Sequence, residues 1–530
     1  MPHWHTDLLQ RTGAVMRLTP TREEFRARGS HHRIVPVHTT VLADTETPLT
    51  LYRRLAEGRP GGFLLESASQ DRWSRYSFVG RGPIATLTEV EGEAVWLGTP
   101  PAGLPTGGDP HAALAEALRV LATGPHDSGL PPMVSSFVGY LGWDSVRRFE
   151  DLGPGPLPEH PVPELSMSIP GDVAILDHFT SRLTLVANAV NVDGRPDGID
   201  AAYDTAVARI EAMLDDLSAP LVPSLAVHDA PEPEVKARTH PDDYLEAVAA
   251  AKRDIVDGEI FQVVLGQRFD AQIDASATDV YRMLRASNPS PYMYLLDVPV
   301  AEGAPLTIIG SSPEALVTVS DGTITTHPIA GTRPRGATPD EDRALAAELL
   351  ADQKERAEHL MLVDLARNDV SKVSAPGSVD VVEFMEIELY SHVMHIVSTV
   401  TGHLREGADG LDVLRATFPA GTLSGAPKPR ALQIIDRLEP TARGVYGGVV
   451  GYLSFTGDLD VAIAIRTGIL RDGLLTVSAG AGIVADSDPQ AELDECHRKA
   501  AAVLRAAAAA HTLRSPVDAT AAGDGAEGSA

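Results

Sequence analysis

Strand-like segments in this sequence come in groups, and helical segments separate the groups. The segment HHRIVPVHTTVLAD has the alternation of a strand, and TPLTLYRRLAEGRPGG that follows it has the pattern of a short helix ending at glycines. Two further runs, FLLESAS and RYSFVGRGPIATLTEVEGEAVWLG, are typical of short strands separated by turn residues. This clustering favours an α+β fold over a regularly alternating α/β sheet.

The chain divides into five segments by composition. Its 530 residues suit three or four domain-sized units, or one large domain with decorations. Residues 1–30 are polar without a clear period, which predicts a flexible N-terminal arm. Residues 218–243 carry five prolines and no helical period, which predicts a linker between an N-terminal region over 31–217 and a domain over 244–511. Residues 512–530 are small and polar, which predicts a disordered tail.

The composition excludes several classes of protein. The formal net charge is −29 and the pI is near 4.9, whereas a protein that binds nucleic acid needs a basic face. There is no run of about 18 apolar residues and no secretory signal, so we expect a cytoplasmic protein that does not enter a membrane. A single cysteine, Cys496, excludes a disulfide framework and a cysteine-based zinc cluster.

Two predicted helices each present carboxylates on one face. Glu355 and Glu358 lie three residues apart, on a face that apolar residues continue. Glu492, Glu495 and Lys499 form a similar stripe on the last helix. A carboxylate that shares a face with apolar residues needs a partner. The pairs therefore belong to salt bridges, or they bind a hard divalent cation such as Mg²⁺, which takes one or two carboxylates.

Two short runs near the C-terminus could face an anion. VAIAIRTGIL has the composition of one buried strand, within which Arg466 would face a carboxylate of the protein or of a ligand, and both alternatives stay open. The run Gly480-Ala481-Gly482 is predicted to form a turn toward the last helix. N–H groups exposed at such a turn can hold an anion, although a plain tight turn is commoner.

Ten motifs follow one another along the chain, namely NPSPYMYLL, GSSPEAL, PIAGTRPRG, ERAEHLMLVDLARND, YSHVMH, GTLSGAPKPRA, YGGVVGY, AIRTG, AGAG and ELDECHRKA. In this order they resemble the chorismate-utilising enzymes, most closely the large component of the anthranilate synthases. The catalytic resemblance covers residues 240–510, and LLES near residue 64 extends it into the N-terminal half. It implies an α+β fold with a two-sheet β-sandwich core flanked by helices, a requirement for Mg²⁺, and conversion of chorismate and ammonia to anthranilate and pyruvate.

The resemblance also assigns binding roles to residues of this sequence. Glu358 and Glu495 match the metal ligands, with Glu355 and Glu492 as supporting acids. The run 479–482 would hold the ring carboxylate together with Mg²⁺, and Arg466 with Tyr446 would hold the enolpyruvyl carboxylate. The complete set of matched substrate residues is Ala330, Gly331, Thr332, Tyr446, Arg466, Ala479, Gly480, Ala481 and Gly482.

Four residues match catalytic positions of the family. Glu314 corresponds to the general acid for the departing C4 hydroxyl, with Thr422 near the same hydroxyl. An acid in this role must be protonated at working pH, so we expect a raised pKa for Glu314. His395 would assist the later loss of the C2 proton and of pyruvate, and Lys499 would add positive charge beside the metal.

Two positions discriminate among branches of the family. The para-aminobenzoate branch has a nucleophilic lysine where this sequence has Ala330, and the isochorismate and salicylate branches have a water-activating lysine where it has Gln262. Ala330 cannot form the covalent bond of the first branch. The amide of Gln262 cannot act as a base, which fits an enzyme that adds ammonia, because ammonia already is a nucleophile. One alternative is a 2-amino-2-deoxyisochorismate synthase, which stops before pyruvate loss. Another is a binding protein that keeps the fold without the chemistry.

The resemblance extends to regulation and to a partner. LLES and NPSPYM match the tryptophan feedback site of the family, at Leu64, Glu66, Ser67, Pro291, Tyr292 and Met293. Ser77 and Tyr452 are further candidates for the same site. Cys496 lies mid-helix, where it is a poor glutaminase nucleophile. We therefore expect ammonia to come from a small glutamine amidotransferase subunit, in a heterotetramer of two large and two small subunits.

Overall fold

A computed structural model describes residues 16–68, 75–123, 129–190, 198–221, 225–390 and 393–515. These residues form eleven helices: α1 Arg22–Gly29, α2 Pro48–Leu55, α3 Pro110–Leu121, α4 Ile199–Ser218, α5 Pro241–Val256, α6 Ala277–Ser287, α7 Pro339–Ala351, α8 Gln353–Ser371, α9 Gly410–Thr417, α10 Lys428–Leu438 and α11 Pro489–Ala510. No helix among the described residues is long and apolar enough to cross a membrane.

The same described ranges contain 21 strands, and every strand pairing is antiparallel. The strands are β1 Ile34–Leu42, β2 Phe63–Glu66, β3 Tyr76–Val90, β4 Glu93–Gly98, β5 Ser136–Leu141, β6 Leu165–Asp177, β7 Arg182–Val190, β8 Lys236–Ala237, β9 Gln262–Gln272, β10 Tyr292–Val298, β11 Leu306–Ser312, β12 Ala315–Ser320, β13 Thr323–Thr326, β14 Ile329–Pro334, β15 Asp380–Leu389, β16 Val393–His403, β17 Gly425–Ala426, β18 Val449–Ser454, β19 Leu459–Ile463, β20 Thr467–Arg471 and β21 Leu474–Ile483.

Two long strands, β3 and β6, pair along most of their length and connect two sheets. The first sheet runs β1-β7-β6-β3-β2-β10-β11-β20-β21-β9, with β8 and β17 on β9. The second runs β4-β3-β6-β5-β18-β19-β12-β13-β16, with β14 and β15 on β16. The β3–β6 register shifts between Gly80 and Ala85, where the pair passes from one sheet to the other. Bulges of this kind bend a strand and allow it to serve two sheets.

A hydrophobic cluster lies between the two sheets. It contains Phe63 and Tyr294 from β2 and β10 of the first sheet, and Tyr140 and Val450 from β5 and β18 of the second. These side chains are at most 4% exposed. A core that both sheets cover in this way is a β-sandwich. The predicted α+β class with a two-sheet core is therefore confirmed.

The chain crosses between the sheets at two neighbouring places. It leaves β11 in the first sheet and enters β12 in the second at Glu314, and it leaves β19 in the second and enters β20 in the first at Arg466. The Ile463 N–H donates to the Glu314 carbonyl at 3.0 Å, and the Ser311 N–H donates to the Arg466 carbonyl at 3.2 Å. The expectation that VAIAIRTGIL forms one strand is wrong, because Arg466, with φ of 51°, lies in this crossing.

Helix starts agree with the capping pattern of the sequence, and one start was missed. Thr338 caps α7 and Asp488 caps α11, each directly before a proline at the first helical position. The predicted flexible arm over 1–30 contains α1, so that prediction is wrong for residues 22–29. Thr21 and Glu24 form a capping box, and the side chain of Phe25 is fully buried. Residues 1–15 of the arm lie outside the described residues.

The predicted segments do not form separate units in the fold. Strands of the regions 31–217 and 244–511 are direct neighbours, since β2 pairs with β10 and β5 pairs with β18. The last residues of the predicted linker, from Pro241, already belong to α5. In the predicted tail, Arg514 pairs through its backbone with Val227. Residues 516–530 lie outside the described residues.

We predict that Phe25→Ala lowers the free energy of unfolding by about 3 kcal/mol, because it removes a large buried side chain. Phe25 packs edge-on against Tyr203 of α4, with ring centroids 5.1 Å apart. Urea unfolding followed by tryptophan fluorescence measures the change. Phe261→Ala is the control, since Phe261 is 72% exposed, and it should change stability by less than about 0.5 kcal/mol. Equal effects of both substitutions would contradict the packing of α1.

Candidate active site

A cavity of about 500 Å³ opens where the two sheets exchange strands. It is lined from both crossings, from the bulged strand β14, from β21 and from the acidic faces of α8 and α11. Most of the residues singled out in the sequence meet here. They are Glu314, Ala330, Gly331, Thr332, Glu355, Glu358, His395, Thr422, Tyr446, Arg466, Ala479, Gly480, Gly482, Glu492, Glu495 and Lys499.

Glu314 is held at the first crossing, with its carboxyl on the cavity wall. The Thr422 hydroxyl donates to Glu314 Oε1 at 3.1 Å. Burial raises the pKa of Glu314 to about 7, although the Thr422 hydrogen bond and the positive charges of Lys499 and Arg466 oppose the rise. The expected raised pKa is confirmed. A carboxyl group in this state can deliver a proton at neutral pH.

Arg466, at the second crossing, lines the cavity. Among the described residues, the side chain of Arg466 has no ion pair and no hydrogen bond, and burial lowers its pKa. Tyr446 lines the same cavity and is 6% exposed. Because a buried guanidinium without a protein carboxylate is costly, the arrangement favours a ligand carboxylate as its partner. The sequence left open whether Arg466 faces a carboxylate of the protein or of a ligand, and the structure favours the ligand.

The acidic faces of α8 and α11 meet across the cavity. Burial raises the pKa of Glu358, and the negative charges of Glu355 and Glu495 raise it further. Burial likewise raises the pKa of Glu492. Lys499 Nζ lies 2.6 Å from Glu495 Oε1 and donates to the Gly480 carbonyl at 2.9 Å. The two helix faces thus bring four carboxylates to the cavity, with the ammonium of Lys499 beside Glu495.

This carboxylate set fits a hard divalent cation. Like charges that raise one another's pKa are relieved by a cation between them. Glu358 and Glu495 supply oxygen donors from facing helices, which suits Mg²⁺ because it takes one or two carboxylates and keeps other positions for water and an anionic ligand. No group of three or more His, Cys, Asp or Glu residues that could hold a metal ion occurs within the described ranges.

The run 479–482 is part of a strand, so its prediction as a turn is wrong. Ala479, Gly480 and Gly482 line the cavity from β21, whereas Ala481 is fully buried in the core. The Gly266–Gly480 pair of the β9–β21 ladder exchanges no hydrogen bond, because the Gly266 N–H donates to Glu439 and the Gly480 carbonyl accepts from Lys499. The N–H of Gly480 consequently points to the cavity.

Glycine is required at position 480 by close packing. A Cβ atom there would lie 2.8 Å from the Tyr446 hydroxyl oxygen and 2.9 Å from the Leu265 carbonyl oxygen. A methyl group at position 480 would thus clash with these atoms and fill the space between β21 and Tyr446. An N–H group at such an edge can still hold an anion without any turn.

His395 is oriented by a bulge in β14. Gly331, with φ of 66°, interrupts the register between Ala330 and Thr332. This turns the Gly331 carbonyl toward His395 Nδ1, at 3.0 Å. Burial lowers the pKa of His395, so the ring is neutral at pH 7. Because a carbonyl oxygen only accepts, the proton of the ring lies on Nδ1. Nε2, which has no hydrogen-bond partner among the described residues, can then accept a proton.

Several cavity residues were absent from the predicted set. Lys354 precedes the first acidic pair on α8, and Tyr390 stacks edge-on against His395 with ring centroids 5.3 Å apart. Ser478 lines the cavity one residue before the predicted run. Gln262, which the sequence marked only as a branch-determining position, also lines it. No local pattern distinguishes these residues, since each reaches the site through the packing of distant segments.

The residues matched to tryptophan binding come together on neighbouring strands. Glu66 of β2 lies opposite Met293 of β10 and opposite Ser77 of β3. The Glu66 carboxylate accepts hydrogen bonds from Arg285 Nε at 2.7 Å and from the Tyr281 hydroxyl at 2.5 Å.

The remaining members of this group differ in what they offer a ligand. Leu64 is fully buried in the core. The Ser67 hydroxyl is buried without a hydrogen-bond partner among the described residues. Tyr292 follows Pro291 at the start of β10, beside Asp460, whose pKa burial raises to about 6.

Comparison with known proteins defines the class. A family model described as chorismate binding enzyme matches residues 29–505. The chain belongs to this family of chorismate binding enzymes, as the ordered motifs indicated.

Within the family, several of the similar proteins carry the name anthranilate synthase component 1. Anthranilate synthase component 1 of Arthrobacter globiformis is 53% identical over 501 residues, which cover 94% of this chain and 94% of that protein. The crystal structure of anthranilate synthase component I from Streptococcus pneumoniae TIGR4 has a TM-score of 0.72 and 35% identity, and the match covers 88% of this chain and 99% of that one. The menaquinone-specific isochorismate synthase from Escherichia coli shares the fold, with a TM-score of 0.67, 19% identity and coverage of 95% and 98%.

We predict that Glu314→Gln stabilises the protein by more at pH 8.5 than at pH 5. The pKa of Glu314 is raised from 4.5 to about 7 in the folded chain, so folding favours the protonated form. That contribution is complete below the unfolded pKa and is lost as the pH rises through about 7. The amide of glutamine stays neutral at high pH, so the variant avoids this loss of stability, which amounts to about 3 kcal/mol at most. Urea unfolding at both pH values measures it, and equal differences at the two pH values would contradict the raised pKa.

Proposed function

We propose that this chain is the chorismate-converting subunit of an anthranilate synthase, in the first committed step of tryptophan biosynthesis. The reaction takes chorismate and ammonia to anthranilate, pyruvate and water. The observation that carries the proposal is that Glu314, an acid with a pKa of about 7, lines one cavity with Arg466, whose guanidinium has no hydrogen bond or ion pair in the described part of the chain. The 53% identity to a protein of that name supports it.

The first stage replaces the C4 hydroxyl by attack at C2. Ammonia forms a bond to C2, both ring double bonds shift by one position, and the C4–O bond breaks so that the oxygen leaves as water after accepting the proton of Glu314. Thr422 holds the carboxyl in place through its hydroxyl. Arg466, Tyr446 and Gly480 line the cavity, and in this proposal their side chains and the Gly480 N–H hold the two substrate carboxylates. Orientation of this kind accounts for a large part of the rate of such reactions.

The second stage makes the ring aromatic. A base removes the proton from C2, and the enolpyruvyl group leaves and becomes pyruvate on protonation. His395 suits the base, because its neutral ring donates from Nδ1 to the Gly331 carbonyl and has Nε2 available. Lys499 contributes positive charge at the opposite side of the cavity, beside Glu495.

Mg²⁺ is the metal that we propose for Glu358 and Glu495, with Glu355 and Glu492 as supporting carboxylates. When bound, it would neutralise these acids and provide a Lewis acid for the ring carboxylate. This explains why an acidic cavity can serve an anionic substrate.

The ammonia donor is proposed to be a separate glutamine amidotransferase subunit, in a heterotetramer. Cys496 does not suit glutaminase chemistry, because it is fully buried and burial raises the pKa of its thiol to about 11. The name component 1, carried by the relatives, agrees with a second component.

We predict that the purified chain forms anthranilate and pyruvate in equal amounts from chorismate, Mg²⁺ and ammonium chloride. Anthranilate fluorescence and a coupled pyruvate assay measure the products, and chelation of Mg²⁺ stops the reaction. Accumulation of 2-amino-2-deoxyisochorismate without pyruvate would support the alternative synthase instead. Binding of chorismate without turnover would support a non-catalytic protein.

Two variants connect this reaction to the cavity. Glu314→Gln lowers kcat at least about 100-fold because it removes the general acid. Glu358→Gln lowers the affinity for Mg²⁺, as measured by calorimetry, without unfolding the chain. Glu383→Gln on β15, whose side chain lies outside the cavity, is the control and leaves both quantities unchanged.

We also propose feedback inhibition by tryptophan at the group around Glu66 and Met293. The Glu66 carboxylate suits the ammonium of the amino acid, which would share it with Arg285. Ser67 beside it has a hydroxyl without a hydrogen-bond partner in the part of the chain that the structure describes, and Tyr292 and Met293 suit an indole ring.

We predict that Ser67→Leu weakens inhibition by tryptophan at least about tenfold, because the larger side chain fills the space and removes the hydroxyl. Turnover without tryptophan should stay unchanged, since Ser67 does not line the catalytic cavity. Ser320→Leu, at an exposed position of β12, serves as the control. A wild-type enzyme that is indifferent to millimolar tryptophan would contradict the proposal.

A further inference from the structure

A second cavity, of about 400 Å³, lies directly behind the catalytic one. Tyr446 and Ser478 line both cavities and so form the wall between them. At the other end the second cavity is lined by the loop at Leu157, which is 84% exposed. The two cavities together thus extend from the surface to the catalytic residues, with a single layer of side chains between them.

One buried side chain of the second cavity makes no hydrogen bond to any described residue. Gln267 of β9 is 3% exposed, and both its amide nitrogen and its amide oxygen lack a hydrogen-bond partner among the described residues. Buried polar groups in folded proteins are nearly always paired, and an exception calls for water or a ligand. A buried amide left unpaired costs free energy that such a molecule would recover.

The charged side chains of the cavity are already paired with one another. Arg443 binds Glu439 at 2.5 Å, and Arg268 binds Glu159 at 2.5 Å. The unsatisfied group is therefore a neutral amide, which can donate one hydrogen bond and accept another. It matches a small neutral molecule that does both, and it does not match an anion such as the substrate.

We infer that the second cavity is the entry chamber for ammonia, with Gln267 as its binding residue. The inference rests on the proposed function, in which neutral ammonia is the nucleophile. Ammonia accepts one hydrogen bond through its lone pair and donates others, so the Gln267 amide can satisfy it on both sides. The wall at Tyr446 and Ser478 is then the last barrier before the catalytic cavity. Gln267 does not touch the reacting atoms and acts as a positioning residue for the nucleophile.

The test is the Michaelis constant of the full chain for ammonia, with ammonium chloride as the probe and chorismate saturating. Gln267→Met keeps the volume and removes the amide, so it raises the KM for ammonia about fivefold and leaves the KM for chorismate unchanged. Gln267→Glu keeps the shape and provides a second variant should Met disturb folding. Gln272→Met, at an exposed position of the same strand, leaves both constants unchanged.

The outcomes separate this inference from the proposed function. A variant with a lowered Tm and reduced kcat, but an unchanged KM for ammonia, would show a structural role only and would overturn the inference. An unchanged enzyme would show that the chamber holds only solvent and would overturn it as well. Failure of the wild-type chain to make anthranilate from ammonium would instead overturn the proposed function.

Discussion

The catalytic cavity depends on the exchange of strands between the two sheets. Strands β11 and β20 pair in the first sheet, and their continuations β12 and β19 pair in the second. Where such paired strands diverge, the ladder of hydrogen bonds is interrupted and a gap opens between the sheets. Glu314 and Arg466 lie in this gap, each held by a backbone hydrogen bond from the neighbouring crossing. The acid and the guanidinium are thus positioned by both sheets at once.

The acidic character of the chain is compatible with an anionic ligand because the relevant charges are local. At physiological salt the field of distant surface carboxylates fades beyond about 8 Å. Within the cavity, Arg466 and Lys499 offset part of the charge of the carboxylates of α8 and α11, and a divalent cation there would offset the rest. Part of the net charge of −29 therefore comes from the four cavity carboxylates that we propose for Mg²⁺, and the rest comes from other parts of the chain.

The fold class and most cavity residues could be predicted, whereas the long-range pairing could not. Paired carboxylates on one helical face are a local pattern, so Glu355 and Glu358 were recognisable from spacing. The break at Arg466 has no local signature, because apolar residues on both sides suit a continuous strand. Gly480 resembled a turn residue, but it is glycine because Tyr446 packs against it. The capping box of α1, at Thr21 and Glu24, was a readable local signal that the low hydrophobicity of the segment concealed.

Substrate binding and protonation are coupled through Arg466 in the proposed reaction. Burial raises the pKa of Glu314, whereas the positive charges of Arg466 and Lys499 lower it. A substrate carboxylate bound to Arg466 neutralises one of these opposing charges and excludes water from the carboxyl group. Both changes favour the protonated acid. The pKa of Glu314 would therefore be higher in the complex than in the free protein, so that the acid is protonated when its substrate is present.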